Sequence, residues 1–280
     1  MAEFTQYSIS TFALINQPLK EAINQLIEAG WRSIELMCED GHRELLSWSA
    51  EELLELKKLG ISKGIAWTIH APIHGLNPGA ASEQSIADSK QCLLQAAKIA
   101  AYLNCNYVVL HCGQIPPAEE RGWDSQDDRE ALSRCTAFMK DILHLSASEE
   151  VKFALENVPP YPNVLGTKVD FINAIVEAVN DPRLKIVFDV AHAHLLGEGK
   201  CLHSLQQVIP HLIGLHINDN LGDIDSHLAV GDGNIPFPAI VALLREQGFK
   251  GNWTMETCQV DYAEKSVSRL RNLENLLLFE

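Results

Sequence analysis

Short apolar runs alternate along the chain with longer stretches of helical period, and polar turn residues separate the two. Runs of four to six branched apolar residues read as strands buried on both faces, and the i, i+3, i+4 stretches read as amphipathic helices. The first strand is expected at residues 7–10, followed by a helix over 18–29 that stops at Gly30. A second strand over 33–36, carrying Glu35, precedes a helix with Ser49 as N-cap and Glu52 three residues on, a capping box; that helix is expected to end at Gly60. The third strand, 65–69, runs into His70, and a long helix over about 82–103 follows. The fourth, 107–110, ends in His111. A polar segment over 114–128, with Pro116, Pro117 and Trp123, is long enough to be a functional loop, and a helix over 129–146 comes after it.

The fifth strand, 151–155, ends in Glu156-Asn157, and a helix is expected over 169–179. The sixth, with Ile186-Val187-Phe188 at its heart, ends abruptly in Asp189, and His192 stands three residues later. A shorter helix near 202–209 leads to a seventh strand, 212–215, ending in His216. A Gly- and Asp-rich loop over 218–234 precedes a helix over 236–247; the eighth strand, 252–255, ends in Glu256, and a last amphipathic helix reaches Leu278. Eight strand-then-helix units with no linker or low-complexity segment predict an α/β chain with one domain over 1–280. Two architectures share this rhythm: a closed (β/α)₈ TIM barrel and a doubly wound open sheet. Polar side chains end strands three to eight in succession, and only a barrel gathers all those ends round one mouth. No Gly-x-Gly-x-x-Gly follows the first strand, which weakens a dinucleotide site. The barrel is the expectation.

Composition narrows the function classes. The formal charge of −15 opposes generic nucleic-acid binding, which draws on Lys and Arg to neutralise phosphates, although bound divalent metals would offset several carboxylates. No stretch approaches a membrane span, and no basic-then-apolar leader opens the chain. Seven scattered cysteines without a Cys-x-x-Cys pair fit a reduced, cytoplasmic setting.

The strand ends carry the chemistry. His70, His111, Glu156, Asp189, His192, His216 and Glu256 would line the mouth, with Asp225 and His227 in the loop after the seventh strand. Each alone has an ordinary reading as a hydrogen-bonded loop histidine, a capping glutamate or a surface carboxylate. Together, so many imidazoles and carboxylates round one mouth would repel or go unsatisfied without cations. Imidazole and carboxylate without thiolate suit Zn, Mn, Co or Fe, and the number of candidate ligands allows one to three ions. Cys112 and Cys258 lie beyond the ligand positions and are read as packing residues.

As an ordered set, the motifs resemble the xylose-isomerase-like TIM barrels, the superfamily joining sugar isomerases and epimerases to type IV endonucleases that act at abasic sites. The matching pieces are Ile69-His70-Ala71-Pro72, Val109-Leu110-His111-Cys112-Gly113, Leu155-Glu156-Asn157, and Phe188-Asp189 with His192 and His194. Leu215-His216-Ile217-Asn218-Asp219, Asp225-Ser226-His227 with Gly231-Asp232-Gly233, and Met255-Glu256-Thr257 complete them. In the epimerase branch the resemblance implies one divalent metal on Glu156, Asp189, His216 and Glu256, with Glu156 and Glu256 exchanging a proton on opposite faces of a sugar. In the endonuclease branch it implies three zinc ions on all nine residues.

The endonuclease branch accounts for His70, His111, Asp225 and His227. It places an aromatic wedge after the third strand, where this chain has Ile73-His74, and DNA-facing loops here carry Glu39, Asp40 and four Asp over 218–234 with a single Arg43. The epimerase branch expects an arginine after the seventh-strand histidine, and residues 217–235 contain none. A vestigial barrel binding metal or sugar as a regulatory module ranks last, because lost activity places no demand on so complete a ligand set. The sequence therefore favours a metal-dependent isomerase or epimerase of a small sugar or polyol ketone, by proton transfer through an enediolate, over a zinc-dependent abasic-site endonuclease or other multinuclear phosphoesterase. Glu156 and Glu256 are the expected catalytic pair. His192 is read as a ligand or substrate contact; His194 and Glu35 as groups that meet substrate or orient a ligand. The expected partner is a small sugar, with homo-oligomerisation left open and nucleic acid disfavoured.

Overall fold

Eight short strands carry the apolar runs, and in the computed structural model, which describes residues 7–115 and 125–276, they close into one parallel barrel in chain order. They are β1 (Tyr7–Ser10), β2 (Ser33–Met37), β3 (Ala66–His70), β4 (Val108–Leu110), β5 (Phe153–Glu156), β6 (Leu184–Asp189), β7 (Leu212–Ile217) and β8 (Asn252–Met255). The barrel shuts where β1 pairs with β8, Ser8 opposite Thr254. Helices α1 (Leu19–Glu28), α2 (Ala50–Lys63), α3 (Glu83–Leu103), α4 (Ser125–Leu145), α5 (Val169–Val179), α6 (Val190–His194), α7 (Lys200–Val208), α8 (Phe237–Glu246) and α9 (Val260–Leu276) follow the strands.

Alternation along each strand sorts the side chains. One set, including Ile9, Ile34, Ile69, Val108, Phe153, Ile186, Phe188 and Trp253, is buried in the main core with helix residues such as Leu26, Leu93, Ile172 and Ile240. The other set fills the barrel. Tyr107, Val109, Ala154 and Val187 form a small separate apolar cluster there, and Gly214 leaves the room that the Tyr107 hydroxyl occupies. The top layer of this interior is polar, with His70, Glu156, Asp189 and His216 buried at strand ends. Register places Asp189 beside His216 across the β6–β7 pair.

Element bounds shift by a few residues in several places, and three departures from the sequence expectation bear on packing or the site. The capping box at Ser49 and Glu52 forms, but α2 runs through Gly60 to Lys63 and ends on Gly64, whose φ of 64° is the left-handed cap glycine favours. Gly60 instead serves packing, because a Cβ there would overlap the Trp67 indole. After β6 an extra five-residue helix, α6, precedes α7. It is too short to show a helical period. The Asp189 carboxylate caps it, accepting the His192 N–H at 2.7 Å. The third difference is in β7, which extends past His216 to Ile217. Within the polar segment expected over 114–128, residues 125–128 already belong to α4, and residues 116–124 lie outside the described residues, as does Leu278.

Candidate metal centre at the barrel mouth

Strand ends and the loop after β7 bring all nine expected ligands to one face of the barrel: His70, His111, Glu156, Asp189, His216 and Glu256 fall in overlapping donor groups, and His192, Asp225 and His227 are joined beside them in pairs. Glu156 (β5), Asp189 (β6), His216 (β7) and Glu256, just after β8, form the deep group, each offering a donor atom within 4.8 Å of the others. His70 and His111 join Glu156 in a second group, both Nε2 atoms 3.0 Å from Glu156 Oε2. The outer pairings centre on Asp225, whose Oδ2 is 3.2 Å from His192 Nε2 and 3.3 Å from His227 Nε2. Asp189 and His192, adjacent at i and i+3, thus face different groups.

The back of each ring decides what its front can do. A backbone carbonyl only accepts, so a ring nitrogen against one must carry the proton. His70 Nδ1 lies 2.7 Å from the Ala71 carbonyl, His192 Nδ1 2.9 Å from that of Asn157, and His227 Nδ1 2.6 Å from that of Glu256. In the neutral ring the opposite Nε2 is then a lone pair, and each of these lone pairs faces a carboxylate oxygen. Acceptor meets acceptor, an arrangement that only a cation between them relieves. His216 is oriented from below. Its Nε2 is 3.2 Å from Glu35 Oε2, while Nδ1 faces Glu156 Oε1 at 2.8 Å and Glu256 Oε2 at 3.2 Å.

Protons take that place when no metal is present. Burial, partly countered by the His192 charge and reinforced by Glu156 and Glu256, pushes the Asp189 carboxyl up to about 7. Burial pulls the His216 imidazole down, but Glu156, Glu35 and Glu256 outweigh it and hold the ring well above its ordinary range. The same contest at His227, won by the Asp225 hydrogen bond and charge, raises it to about 9. Burial also pushes Glu156 upward, yet the His216 charge and the His111 hydrogen bond hold it well below the usual carboxylate range. At His111 burial prevails, and its pKa falls. Asp225 Oδ1 is buried with no partner among the described residues. Donor chemistry, convergence and this spare oxygen all fit divalent ions of the Zn, Mn or Co type.

Of the two residues read as meeting substrate or orienting a ligand, Glu35 stands where the second role would place it and His194 stands apart. Glu35 is fully buried beneath His216, so its position suits orienting that ring and gives it no open face toward a substrate. His194 is not drawn into the donor groups; its Nε2 meets Asn234 Oδ1 at 2.7 Å and ties α6 to the loop after β7. The sequence reading also passed over Asn157, whose amide bonds both the N–H and the carbonyl of Asp189, each at 2.9 Å, while its own carbonyl holds His192. Its place directly after the strand-end Glu156 was the available signal.

Residues 23–273 match a family model described as xylose isomerase-like TIM barrel. The chain belongs to the xylose isomerase-like TIM barrel family. It is similar to the uncharacterised protein MJ1311 of Methanocaldococcus jannaschii, 27% identical over 267 residues, 95% of this chain and 88% of that protein. A probable endonuclease 4 of Acholeplasma laidlawii is 26% identical over 162 residues, about half of each chain (53% and 52%). Among solved structures, a D-tagatose 3-epimerase-like protein superposes with a TM-score of 0.86 at 27% identity, covering 97% of this chain and 98% of the other. D-psicose 3-epimerase from Clostridium cellulolyticum H10, solved with D-tagatose, gives 0.78 at 16% identity, covering 98% and 99%. The IolI protein with a bound zinc atom gives 0.77 at 20%, covering 96% of each. The last two share the fold alone.

Proposed function

We propose that this chain is a divalent-metal-dependent isomerase or epimerase of a small ketose or related polyol ketone. The observation that carries the proposal is the deep group, in which Glu156 and Glu256 approach one buried imidazole from β5 and the end of β8, at 2.8 and 3.2 Å, with Asp189 completing the set. Glu156, Asp189, His216 and Glu256 would hold the ion, which supplies Lewis acidity toward the substrate's oxygens when bound. The two glutamates do the proton work. One, as carboxylate, would take the proton from the carbon beside the carbonyl, and the other, as the protonated acid, would return one to the opposite face. Glu35, through Nε2 of His216, keeps Nδ1 free for the ion, and Asn157 fixes Asp189 and His192. Likeness to a D-tagatose 3-epimerase-like protein over nearly the whole chain supports a sugar substrate.

A second reading, hydrolysis of a phosphodiester, draws support from the His70–His111–Glu156 group and from the pairings of Asp225 with His192 and His227, which chemistry at a single ion leaves without a task. The acidic charge and the loops after β2 and β7 weigh against a nucleic acid. One pair of assays separates the two. Protein loaded with Mn, Co or Zn is given free ketopentoses and ketohexoses, and separately a duplex with one abasic site. Conversion of a ketose without nicking is expected; nicking without conversion of any ketose overturns the proposal.

A further inference from the structure

The loop between β7 and α8 carries Asp225 and His227, and its shape is set by a residue that touches neither. Asp219 is fully buried two residues beyond the end of β7. Its carboxylate accepts four backbone N–H groups: Asn220 at 3.0 Å, Gly231 at 2.7 Å, Gly233 at 3.1 Å and Ile235 at 3.1 Å. Its own backbone exchanges two hydrogen bonds with Leu228, at 3.0 and 2.9 Å. Both roots of the loop are thereby fastened to one side chain, and the strand of residues leading back from His227 is fastened to the same residue's backbone. Gly233 is required by this closure, since a Cβ would overlap the Asn220 carbonyl and Asp219 Oδ1. From outside, Ser266 accepts the Val230 N–H at 2.9 Å, and Arg269 bonds Asp232 at 2.6 Å.

The consequence appears at His227. Its φ is +46°, a left-handed conformation unfavourable for a residue with a Cβ, so the surrounding loop imposes it. In that conformation Nδ1 reaches the Glu256 carbonyl and Nε2 reaches Asp225, which in turn meets His192 on α6. We propose that Asp219 is a positioning residue: by closing the loop on its own root, it presents Asp225 and His227 to His192 as one preformed donor group for a divalent cation. This rests on reading Asp225 and His227 as ligands. It also makes the outer group separable from the deep one, because no Asp219 contact passes through Glu156, Asp189, His216 or Glu256.

The test counts zinc. Wild-type chain, His227→Asn, Asp219→Asn and Gly233→Ala are reconstituted with zinc, dialysed against graded chelator and analysed by atomic emission, and the unfolding of each is followed after complete chelation. His227→Asn is expected to lose the outer ion. Asp219→Asn, which puts an amide N–H where backbone N–H groups need an acceptor, is expected to bind that ion about 10- to 100-fold more weakly while the deep ion is retained as in wild type. Gly233→Ala reports the same loss should Asp219→Asn fail to fold. Wild-type zinc content in His227→Asn overturns the ligand reading and the proposal with it. Depletion in His227→Asn beside wild-type content in Asp219→Asn and Gly233→Ala overturns the proposal alone. A carboxylate that merely braced the loop would lower the unfolding temperature of the chelated protein and leave the zinc count unchanged, which also overturns it.

Discussion

Replacing Glu35 by glutamine removes one negative charge from beneath the deep donor group and changes almost nothing in shape. Glu35 and His216 are both fully sealed from water and meet at 3.2 Å, so their contact is a charge-assisted hydrogen bond in a dry interior. Such bonds contribute about 1.5–3 kcal/mol, and the neutral one that glutamine can still accept from His216 Nε2 contributes about 1 kcal/mol. The loss is about 0.5–2 kcal/mol. At about 1.4 kcal/mol per tenfold, zinc affinity at the deep site should fall about 2- to 30-fold, with the fold intact. Glu35→Ala, which leaves Nε2 without an acceptor, should exceed the glutamine variant. Competition with a zinc chelator of known affinity measures both. Wild-type affinity in Glu35→Ala would refute the view that this carboxylate sets which His216 nitrogen is free.

Gly60→Ala forces α2 away from the Trp67 indole and should cost about 1–3 kcal/mol in urea unfolding; an unshifted midpoint would contradict the packing role given to that glycine. Ser49→Ala removes one half of the capping box and should cost about 1 kcal/mol in the same assay, whereas a neutral result would mean the cap adds nothing. In the chelated protein, His227 is raised above its unfolded value to about 9, so its contribution to stability is fully present below about pH 6.5 and lost as pH climbs through about 9. Unfolding temperatures of chelated wild type should therefore fall toward those of His227→Gln across that window; parallel curves would show that the Asp225 pairing is not formed.

The barrel was legible because its signal is local and repeated. From the third strand to the eighth, each apolar run ends in a polar residue, and only a closed ring gives those ends a common destination, as Asp189 beside His216 shows. The convergence of the nine candidate ligands was legible for the same reason: they stand at or just past the tips of strands or, like Asp225 and His227, in a loop rich in turn residues. What pattern reading missed depends on three-dimensional neighbours. Gly60 looked like a helix stop because glycine interrupts helices, but Trp67 across the core is what demands it. His194 shares a short motif with His192, yet two residues further along α6 it faces Asn234 and not the donor groups. Asn157 and Asp219 act by bonding backbone atoms, and no periodicity marks a side chain whose partners are main-chain N–H groups far along the chain.

The central claim is that Glu156 and Glu256 exchange a proton at the carbon beside a ketose carbonyl, with a divalent ion held between them. Proton NMR of a ketose turned over in deuterium oxide tests it most directly. Metal-loaded wild type should place one deuteron per product molecule at that carbon, and Glu256→Gln and the chelated protein should place none while remaining folded. Incorporation that persists undiminished in Glu256→Gln, or that ignores removal of the metal, would contradict the account.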